Sequence, residues 1–443
     1  MAQTYDLTKG SVTSVILKFY FPMFFTNMLQ QIYTIADTAI VGKGISDDAL
    51  AAVGNMSSVS FLIFGFAIGI SNGFAVSAAQ AFGAKNYEKL RHSVASSIIL
   101  SVITTILLTF LSVFFMPQIL RFMQTDKKIF HDSLVYGYVI FGGLVTTIAY
   151  NLCSCILRAL GDSRTPFIAI VVSTAMNVVL DLFLVCTVKT GVAGAGAATV
   201  ASQLVSTLIC YIKLRRIDAV KLTADDFREN GSIILELTAN GVPMGLMNSI
   251  TAVGSMVVQY FVNGLGVDYT KAYSVCSKYI NLFIQPACTA GFAMSSFTSQ
   301  NYGACEYQRI RKGLRTCLSI ALVSYAVLGA VMMIFPKELA SLMLNGKVPI
   351  GYTALYLPIC GAAKFMVDIL FVVRSGVQGM GHPTIPMISG ILEMVMRIAV
   401  IVLFVEPLGF TATAYANVAA WAAALLLNGT AFALYLRKKL KAE

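Results

Sequence analysis

Long apolar stretches recur along almost the whole chain and limit its fold more than any other feature. A membrane-spanning helix needs about 20 mostly apolar residues, and we mark twelve such stretches in the 443 residues. They are residues 12–41, 49–79, 93–116, 131–157, 165–188, 192–213, 232–263, 270–299, 314–335, 350–377, 384–405 and 408–436. Only 12% of the residues are charged, roughly half the share in soluble domains. The sequence therefore predicts an all-α polytopic membrane protein with twelve transmembrane helices.

The formal net charge of +11 raises the question of a nucleic-acid partner, which the positions of the basic residues answer. Lysine and arginine concentrate in alternate loops, namely residues 80–92, 158–164, 213–231, 305–315 and the tail from Arg437. By the positive-inside rule, these loops and both termini are cytoplasmic. We therefore expect the lipid bilayer as a partner and no nucleic acid. The polar first ten residues and the length of the first span argue against a cleaved signal peptide.

The two halves of the chain repeat each other in sequence. The stretch AQAFGAKNYEKLRHSV (79–94) aligns with SQNYGACEYQRIRKGL (299–314) at a shift of 220 residues. The same shift places LGDSRTP (160–166) on MGHPTIP (380–386). A register of this kind over most of the chain is hard to obtain by chance, so the chain is predicted to be a duplicated six-helix unit.

Duplication predicts an N-terminal lobe over 1–213, a cytoplasmic linker over 214–231 and a C-terminal lobe over 232–443. An even number of spans separates the copies, so both have one orientation and a pseudo-twofold axis along the membrane normal relates them. Parallel repeats of this kind characterise transporter folds, which makes transport the favoured function class. Pro22 and Pro243 take equivalent places in the two lobes and are candidates for hinges or simple helix kinks. Because one chain holds both lobes, a monomer is expected.

Two acidic residues of the N-terminal lobe, Asp37 and Asp181, lie inside predicted spans. An ionisable residue in such a place is expensive and is by default a functional-site hypothesis. Helix rise and topology bring both acids near Asn177 and Thr199 in the outer part of the lobe. These side chains suit either a small cation such as Na⁺ or a proton held by a carboxyl. A structural role is the alternative, in which Asp181 bonds Asn177 and Thr199 while Asp37 caps its helix.

The C-terminal lobe has a different set of charges near the middle of its spans. Lys364 and Asp368 are four residues apart on one predicted helix, and Glu393 and Arg397 are four apart on the next. Residues at this spacing share a helix face. The four either pair structurally or contact the substrate or ion. Lys278 and Arg374 are nearer helix ends and are expected to extend toward the membrane surface.

The sequence lacks the residue patterns that several other functions require. The nine cysteines fall mostly within predicted helices without a CxxC pair, so we expect no disulfide and no metal site beyond a possible Na⁺. No GxxxxGK[ST] motif for ATP is evident, and no acidic cluster such as DDxxD supports a membrane prenyltransferase. We therefore expect a non-enzymatic protein without a cofactor that uses an ion gradient. A passive channel is a further alternative.

The stretches LQQIYTIADTAIVGKGISDDALAAVG (29–54) and ILRALGDSRTP (156–166) resemble the multidrug and toxic compound extrusion (MATE) family, and most of all its bacterial and archaeal DinF-like branch. The resemblance covers essentially the whole chain and implies the MATE fold of two six-helix lobes. The NorM-like branch has acids on helices seven and ten instead. Here residues 243–262 contain no acid, whereas Asp368 corresponds in place to the second acid. A complete second cation site is therefore not expected.

In the DinF-like branch, an aspartate of helix one, an Asn-x-x-x-Asp pair of helix five and a threonine of helix six form a cation site. Asp37, Asn177, Asp181 and Thr199 match these positions, including the spacing between the last two. The resemblance therefore implies that these four residues bind and release the coupling ion.

The function implied by the resemblance is secondary active multidrug efflux. Such an antiporter exports amphipathic, often cationic, drug-like compounds in exchange for H⁺ or Na⁺ across a bacterial or archaeal inner or plasma membrane. The alternative in the same superfamily is a flippase or exporter of a lipid-linked or anionic metabolite. A flippase of that kind should have a strongly cationic cavity in both lobes.

Overall fold

The computed structural model describes residues 6–123, 125–228, 231–344 and 346–441, without the side chains of Ile35, Ala36, Thr38, Ala39, Lys43 and Ser58. Within these ranges the chain is helical almost throughout and forms no strand. The helices are α1 (Val12–Gly44), α2 (Asp47–Gly83), α3 (Tyr87–Phe114), α4 (Met116–Phe122), α5 (Lys127–Gly142), α6 (Leu144–Ala159), α7 (Arg164–Asp181), α8 (Val192–Arg215), α9 (Gly231–Leu265), α10 (Val267–Phe283), α11 (Gln285–Gly303), α12 (Tyr307–Ser324), α13 (Ala330–Ile334), α14 (Pro336–Ser341), α15 (Lys347–Gly379), α16 (Thr384–Leu408) and α17 (Thr411–Leu440). The predicted all-α fold class is confirmed.

The predicted spans correspond to helices, although some are interrupted. In the described ranges, ten helical segments are long and apolar enough to cross a membrane, and α5 with α6, bent by 44°, can form an eleventh span. The prediction of one continuous helix over 131–157 is therefore wrong, because the chain bends at the Gly142–Gly143 pair. The stretch 270–299 likewise divides into α10 and α11, with Pro286 in the first turn of the second helix. Proline is tolerated there because the first backbone N–H groups of a helix have no partner within it.

The internal repeat extends to backbone conformation. Gly161 and Gly381 both have φ of 83°, and Lys85 and Cys305 have φ of 56° and 60°. All four residues follow helix ends, where a left-handed residue closes the last turn. A residue with a Cβ atom is strained in this left-handed conformation. The positions of Gly161 and Gly381 therefore both favour glycine for the same backbone reason.

The described chain forms two compact units whose boundaries lie within helices. Among the described residues, the first unit contains residue 6 and residues 21–245, and the second contains residues 7–20 together with 246–441. The chain thus passes from one unit to the other within α1 and again within α9. Pro22 and Pro243 lie next to these two crossing points.

Close packing of glycines explains why the start of α9 belongs to the first unit. A Cβ atom on Gly73 of α2 would lie 2.4 Å from the Cα atom of Gly241 on α9. A Cβ atom on Gly69 would lie 2.5 Å from the carbonyl oxygen of Met244. The two backbones therefore approach as closely as small residues allow, which is a common way for helices to associate in membranes.

The cytoplasmic linker predicted from the charge pattern is held against α3 by Asp226. Thr223 donates to Asp226 Oδ2 from its backbone nitrogen at 2.7 Å and from its hydroxyl at 2.8 Å. Arg91 Nε donates to Asp226 Oδ1 at 3.3 Å. Burial raises the pKa of Asp226, but the hydrogen bonds from Thr223 and Arg91 outweigh burial and lower that pKa below its usual value. Residues 229 and 230 of the predicted linker lie outside the described residues.

The glycine contact predicts opposite effects for two alanine substitutions in α2. Gly73→Ala should destabilise the protein by about 1–3 kcal/mol, because the new methyl group forces α2 and α9 apart. Gly54→Ala is the matched control, since a Cβ atom added there would meet no atom of the described residues within 4 Å, and it should stabilise by about 0.5–1 kcal/mol. Thermal unfolding in one detergent, followed by circular dichroism, measures both. Equal unfolding midpoints for the two variants would contradict the contact.

The linker contact predicts a pH-dependent protection of residues 218–228. Because folding lowers the pKa of Asp226, its stabilisation is present at neutral pH and is lost as the pH falls below about 4. Asp226→Asn should remove about 1–3 kcal/mol of local stability near neutral pH. Hydrogen–deuterium exchange should therefore be faster in the variant at about pH 7 and similar to the native protein at about pH 3. Asp225→Asn, which changes an exposed neighbour, is the control and should leave exchange unchanged.

Candidate functional site

Two buried carboxyls of the first unit face each other. Asp37 lies on α1 and Asp181 is the last residue of α7, and the two side chains are within hydrogen-bonding range. Asp37 is 9% exposed and Asp181 is 0% exposed. No described group donates a hydrogen bond to either oxygen of Asp181. Two carboxylates are both acceptors, so this contact becomes a hydrogen bond only when one of them holds a proton.

Thr199 of α8 is linked to this pair through Tyr33. The hydroxyl of Thr199 lies 3.1 Å from the carbonyl oxygen of Ala195 and 3.2 Å from the hydroxyl of Tyr33, and in the second contact either hydroxyl can donate. Tyr33 lies one turn before Asp37 on α1 and interacts electrostatically with both carboxyls, as does Tyr136 of α5. The sequence analysis missed both tyrosines, although Tyr33 has the four-residue spacing that places it on the same helix face as Asp37.

Asn177 lies one turn before Asp181 on α7 and is fully buried. Neither side-chain atom of its amide has a hydrogen-bond partner among the described residues. The backbone after Asp181 continues as a π-helical segment, Leu182–Thr187, a form that is frequent at functional sites. Asp181 makes no hydrogen bond to Asn177 or Thr199 within the described part of the chain, and Asp37 lies inside α1 and not at its end. The arrangement of the structural alternative is therefore not observed.

The second unit buries a cluster of opposite charges. Lys364 and Asp368 of α15 form an ion pair at 2.5 Å. Glu393 of α16 contacts two arginines, with Oε1 on Arg374 of α15 and Oε2 at 3.5 Å from Arg397 of its own helix. The expectation that Arg374 extends toward the membrane surface is wrong, because its side chain is buried at 7% exposure and pairs with Glu393. Glu393 on the neighbouring helix α16 provides a buried carboxylate partner for the guanidinium group of Arg374.

Two uncharged groups extend this cluster. Arg397 Nε donates to Asn417 Oδ1 of α17 at 3.2 Å, and Asn417 Nδ2 donates to Tyr356 Oη of α15 at 2.8 Å. Lys364 also lines a small cavity whose other walls are mostly apolar and include Trp421. The sequence analysis missed Asn417 and Tyr356, because partners on different helices leave no local spacing pattern.

The fold and these buried charges define the class of the protein. Helices of membrane-spanning length dominate both units, and ionisable side chains inside such helices are characteristic of transport and proton pathways. The protein is thus a multi-pass membrane protein of the transporter class.

The chain belongs to the MATE family. The family model described as MatE matches residues 22–183 and 243–428, which together make up most of the chain. The family that the sequence motifs suggested is therefore confirmed, and so is its fold.

Relatives and solved structures agree with this assignment. The "Probable multidrug resistance protein YoeA" of Bacillus subtilis (strain 168) is 29% identical over 350 residues, covering 77% of this chain and 76% of the relative. A protein of Shewanella oneidensis named "FAD transporter" is 23% identical over 407 residues, covering 89% and 88%. The structure described as "Outward-facing conformation of a multidrug resistance MATE family transporter of the MOP superfamily" matches with a TM-score of 0.92 at 22% identity, covering 99% of this chain and 98% of that chain. At this identity the structural match establishes the fold alone.

The position of Glu393 between two arginines predicts a large loss of stability when its charge is removed. Glu393→Gln should destabilise the protein by about 3–5 kcal/mol, because two buried guanidinium groups then lack a carboxylate. Glu406→Gln is the matched control, since Glu406 lies on the same helix and is exposed. Thermal unfolding in one detergent should show a lower midpoint for Glu393→Gln alone. If both variants unfold like the native protein, Glu393 does not hold the cluster together.

Proposed function

We propose that this MATE-family protein is a secondary active multidrug efflux antiporter that exports amphipathic, often cationic compounds in exchange for H⁺ or Na⁺. The observation that carries this proposal is the contact between Asp37 and Asp181, two buried carboxyls without an arginine or lysine partner among the described residues. The names of relatives such as YoeA support multidrug efflux. The basic cytoplasmic loops support a cell-membrane protein with both termini inside.

The carboxyl pair accounts for coupling to an ion. Two ionised carboxyls in contact repel each other, and a low-dielectric environment strengthens that repulsion. A proton on one carboxyl, or a small cation between the two, relieves it. Proton coupling requires only Asp37 and Asp181. Sodium coupling would also draw on oxygen ligands from Asn177 and Thr199, because hard cations prefer several oxygen ligands.

Antiport follows if the ion and the substrate favour different conformations. Each ligand shifts the population only by its differential affinity for the two states. Ion binding at the acid pair then favours one conformation, substrate binding favours the other, and each promotes release of its counterpart. Pro22 and Pro243 are the proposed hinges, since both lie beside the points where α1 and α9 pass between units. We propose that a monomer carries out this cycle without a cofactor or catalytic step.

A second candidate function is export of a lipid-linked or anionic metabolite. The two arginines around Glu393 favour it, and the relative named "FAD transporter" supports it. The acidic pair of the first unit does not match the cationic cavity expected in both lobes of a lipid-linked sugar flippase. An anionic small molecule is therefore the better form of this alternative.

The acid pair predicts the loss of gradient-driven transport in Asp181→Asn. In proteoliposomes with an imposed H⁺ or Na⁺ gradient, accumulation of a fluorescent cationic dye should fall by about 5- to 150-fold, as expected when a coupling free energy of about 1–3 kcal/mol is lost. The gradient that drives the native protein identifies the ion. Asp48→Asn, which changes an exposed acid at the start of α2, should transport normally.

Two outcomes would contradict the proposal. Normal accumulation by a folded Asp181→Asn variant would show that the acid pair does not couple transport. Dye equilibration by the native protein without any response to either gradient would indicate a passive channel.

The Asn177→Ala variant distinguishes sodium coupling from proton coupling. It should weaken sodium-driven transport and leave proton-driven transport largely intact.

A further inference from the structure

The buried charges of the second unit do not balance. Lys364 and Asp368 neutralise each other as an ion pair. Arg374 and Arg397 share the single carboxylate of Glu393. With both arginines and Glu393 charged, this group of three has a net charge of one positive unit. An uncompensated charge inside a membrane protein is strongly unfavourable, so a second anion would stabilise the group.

Both arginines also retain hydrogen-bond donors without acceptors. Arg374 Nε and Arg397 Nη1 have no hydrogen-bond partner among the described residues. The side chains are 7% and 6% exposed, respectively, so water satisfies little of this donor capacity. A buried N–H without an acceptor is costly, and the cost is larger for a charged group. A purely structural cluster would be more stable with a carboxylate for each arginine.

The surroundings of Arg397 place its free nitrogen beside a small residue. A Cβ atom on Gly254 of α9 would lie 3.4 Å from Arg397 Nη1. Glycine has only a hydrogen atom at this position. Any other residue at position 254 would leave less space beside Arg397 Nη1. Asn417 accepts a hydrogen bond from Arg397 Nε and donates one to Tyr356 Oη. The guanidinium group is thus held in position while one of its nitrogens remains available.

We propose that Arg374 and Arg397 bind an anionic group, a carboxylate or a phosphate, of the transported compound. This proposal rests on the proposed transport function and extends its substrates to amphipathic compounds that contain such an anion. Arginine suits this role because its planar fork matches carboxylate and phosphate oxygens and because it stays charged when buried. Glu393 and Asn417 position the two arginines, and the bound anion accepts from Arg374 Nε and Arg397 Nη1.

The test measures equilibrium binding of two xanthene dyes of opposite charge, anionic carboxyfluorescein and cationic rhodamine 123. The protein is held in nanodiscs of zwitterionic lipid, and fluorescence anisotropy reports binding. Arg374→Gln and Arg397→Gln each remove one positive charge but leave Glu393 paired with the other arginine, so the fold is retained. Lys278→Gln removes a positive charge from an exposed residue of α10 and is the matched control.

Each arginine variant should raise the dissociation constant of carboxyfluorescein by roughly tenfold or more, which is the scale of a lost charge-assisted hydrogen bond. Rhodamine 123 binding and the Lys278→Gln variant should change little. Benzoate or phenyl phosphate should displace carboxyfluorescein, and the stronger competitor identifies carboxylate or phosphate as the preferred group. Benzyltrimethylammonium should not displace it.

Unchanged carboxyfluorescein affinity in both arginine variants would overturn the proposal. An equal loss in Lys278→Gln would also overturn it, because the effect would then come from the overall charge of the protein. Asp181→Asn separates this site from the coupling site. It should lose gradient-driven transport, while its carboxyfluorescein binding should remain sensitive to Arg374→Gln and Arg397→Gln. If the native protein binds the dye through the arginines but no gradient drives its accumulation, the antiport proposal fails and the anion site stands.

Discussion

The structure depends on the need to satisfy backbone hydrogen bonds away from water. In hydrocarbon, an unpaired peptide N–H or C=O costs several kcal/mol, so each spanning segment must satisfy its own backbone groups as a helix. That requirement explains why the described chain consists of long helices joined by short connections. It also means that the backbone adds little polarity to the interior. The chemistry of this transporter therefore lies in the few polar side chains within its helices.

Those side chains differ in sign between the two units. In the first unit, Asp37 and Asp181 form an acidic contact without a basic partner in the described chain. In the second unit, Arg374 and Arg397 share Glu393 and leave an excess of positive charge. The interiors of the two units thus have opposite chemistry. This difference is the basis of the two proposals above, in which the acidic unit binds the coupling cation and the basic unit binds an anionic part of the substrate.

The helices α1 and α9 link the compact units. Each contributes its first part to one unit and its remainder to the other. Pro22 and Pro243 lie at these crossings and cannot donate a backbone hydrogen bond there, which makes bending easier. The close contact of Gly73 with Gly241 anchors the start of α9 in the first unit. The proposed hinges therefore lie beside firm packing, as a hinge needs a fixed segment to move against.

The sequence by itself determined the helical membrane class, the internal repeat and the family, because hydrophobic length and turn residues such as Gly161 and Gly381 are local properties. It also singled out Asp37 and Asp181, since an acid within an apolar stretch stands out without any structure. Only the tertiary structure decided that Arg374 turns inward to Glu393. Pairing across helices depends on how the helices pack, and residue spacing along one helix does not encode it. The unit boundaries within α1 and α9 were decided in the same way, because contacts between distant segments define a compact unit, whereas the sequence pattern marks only the linker.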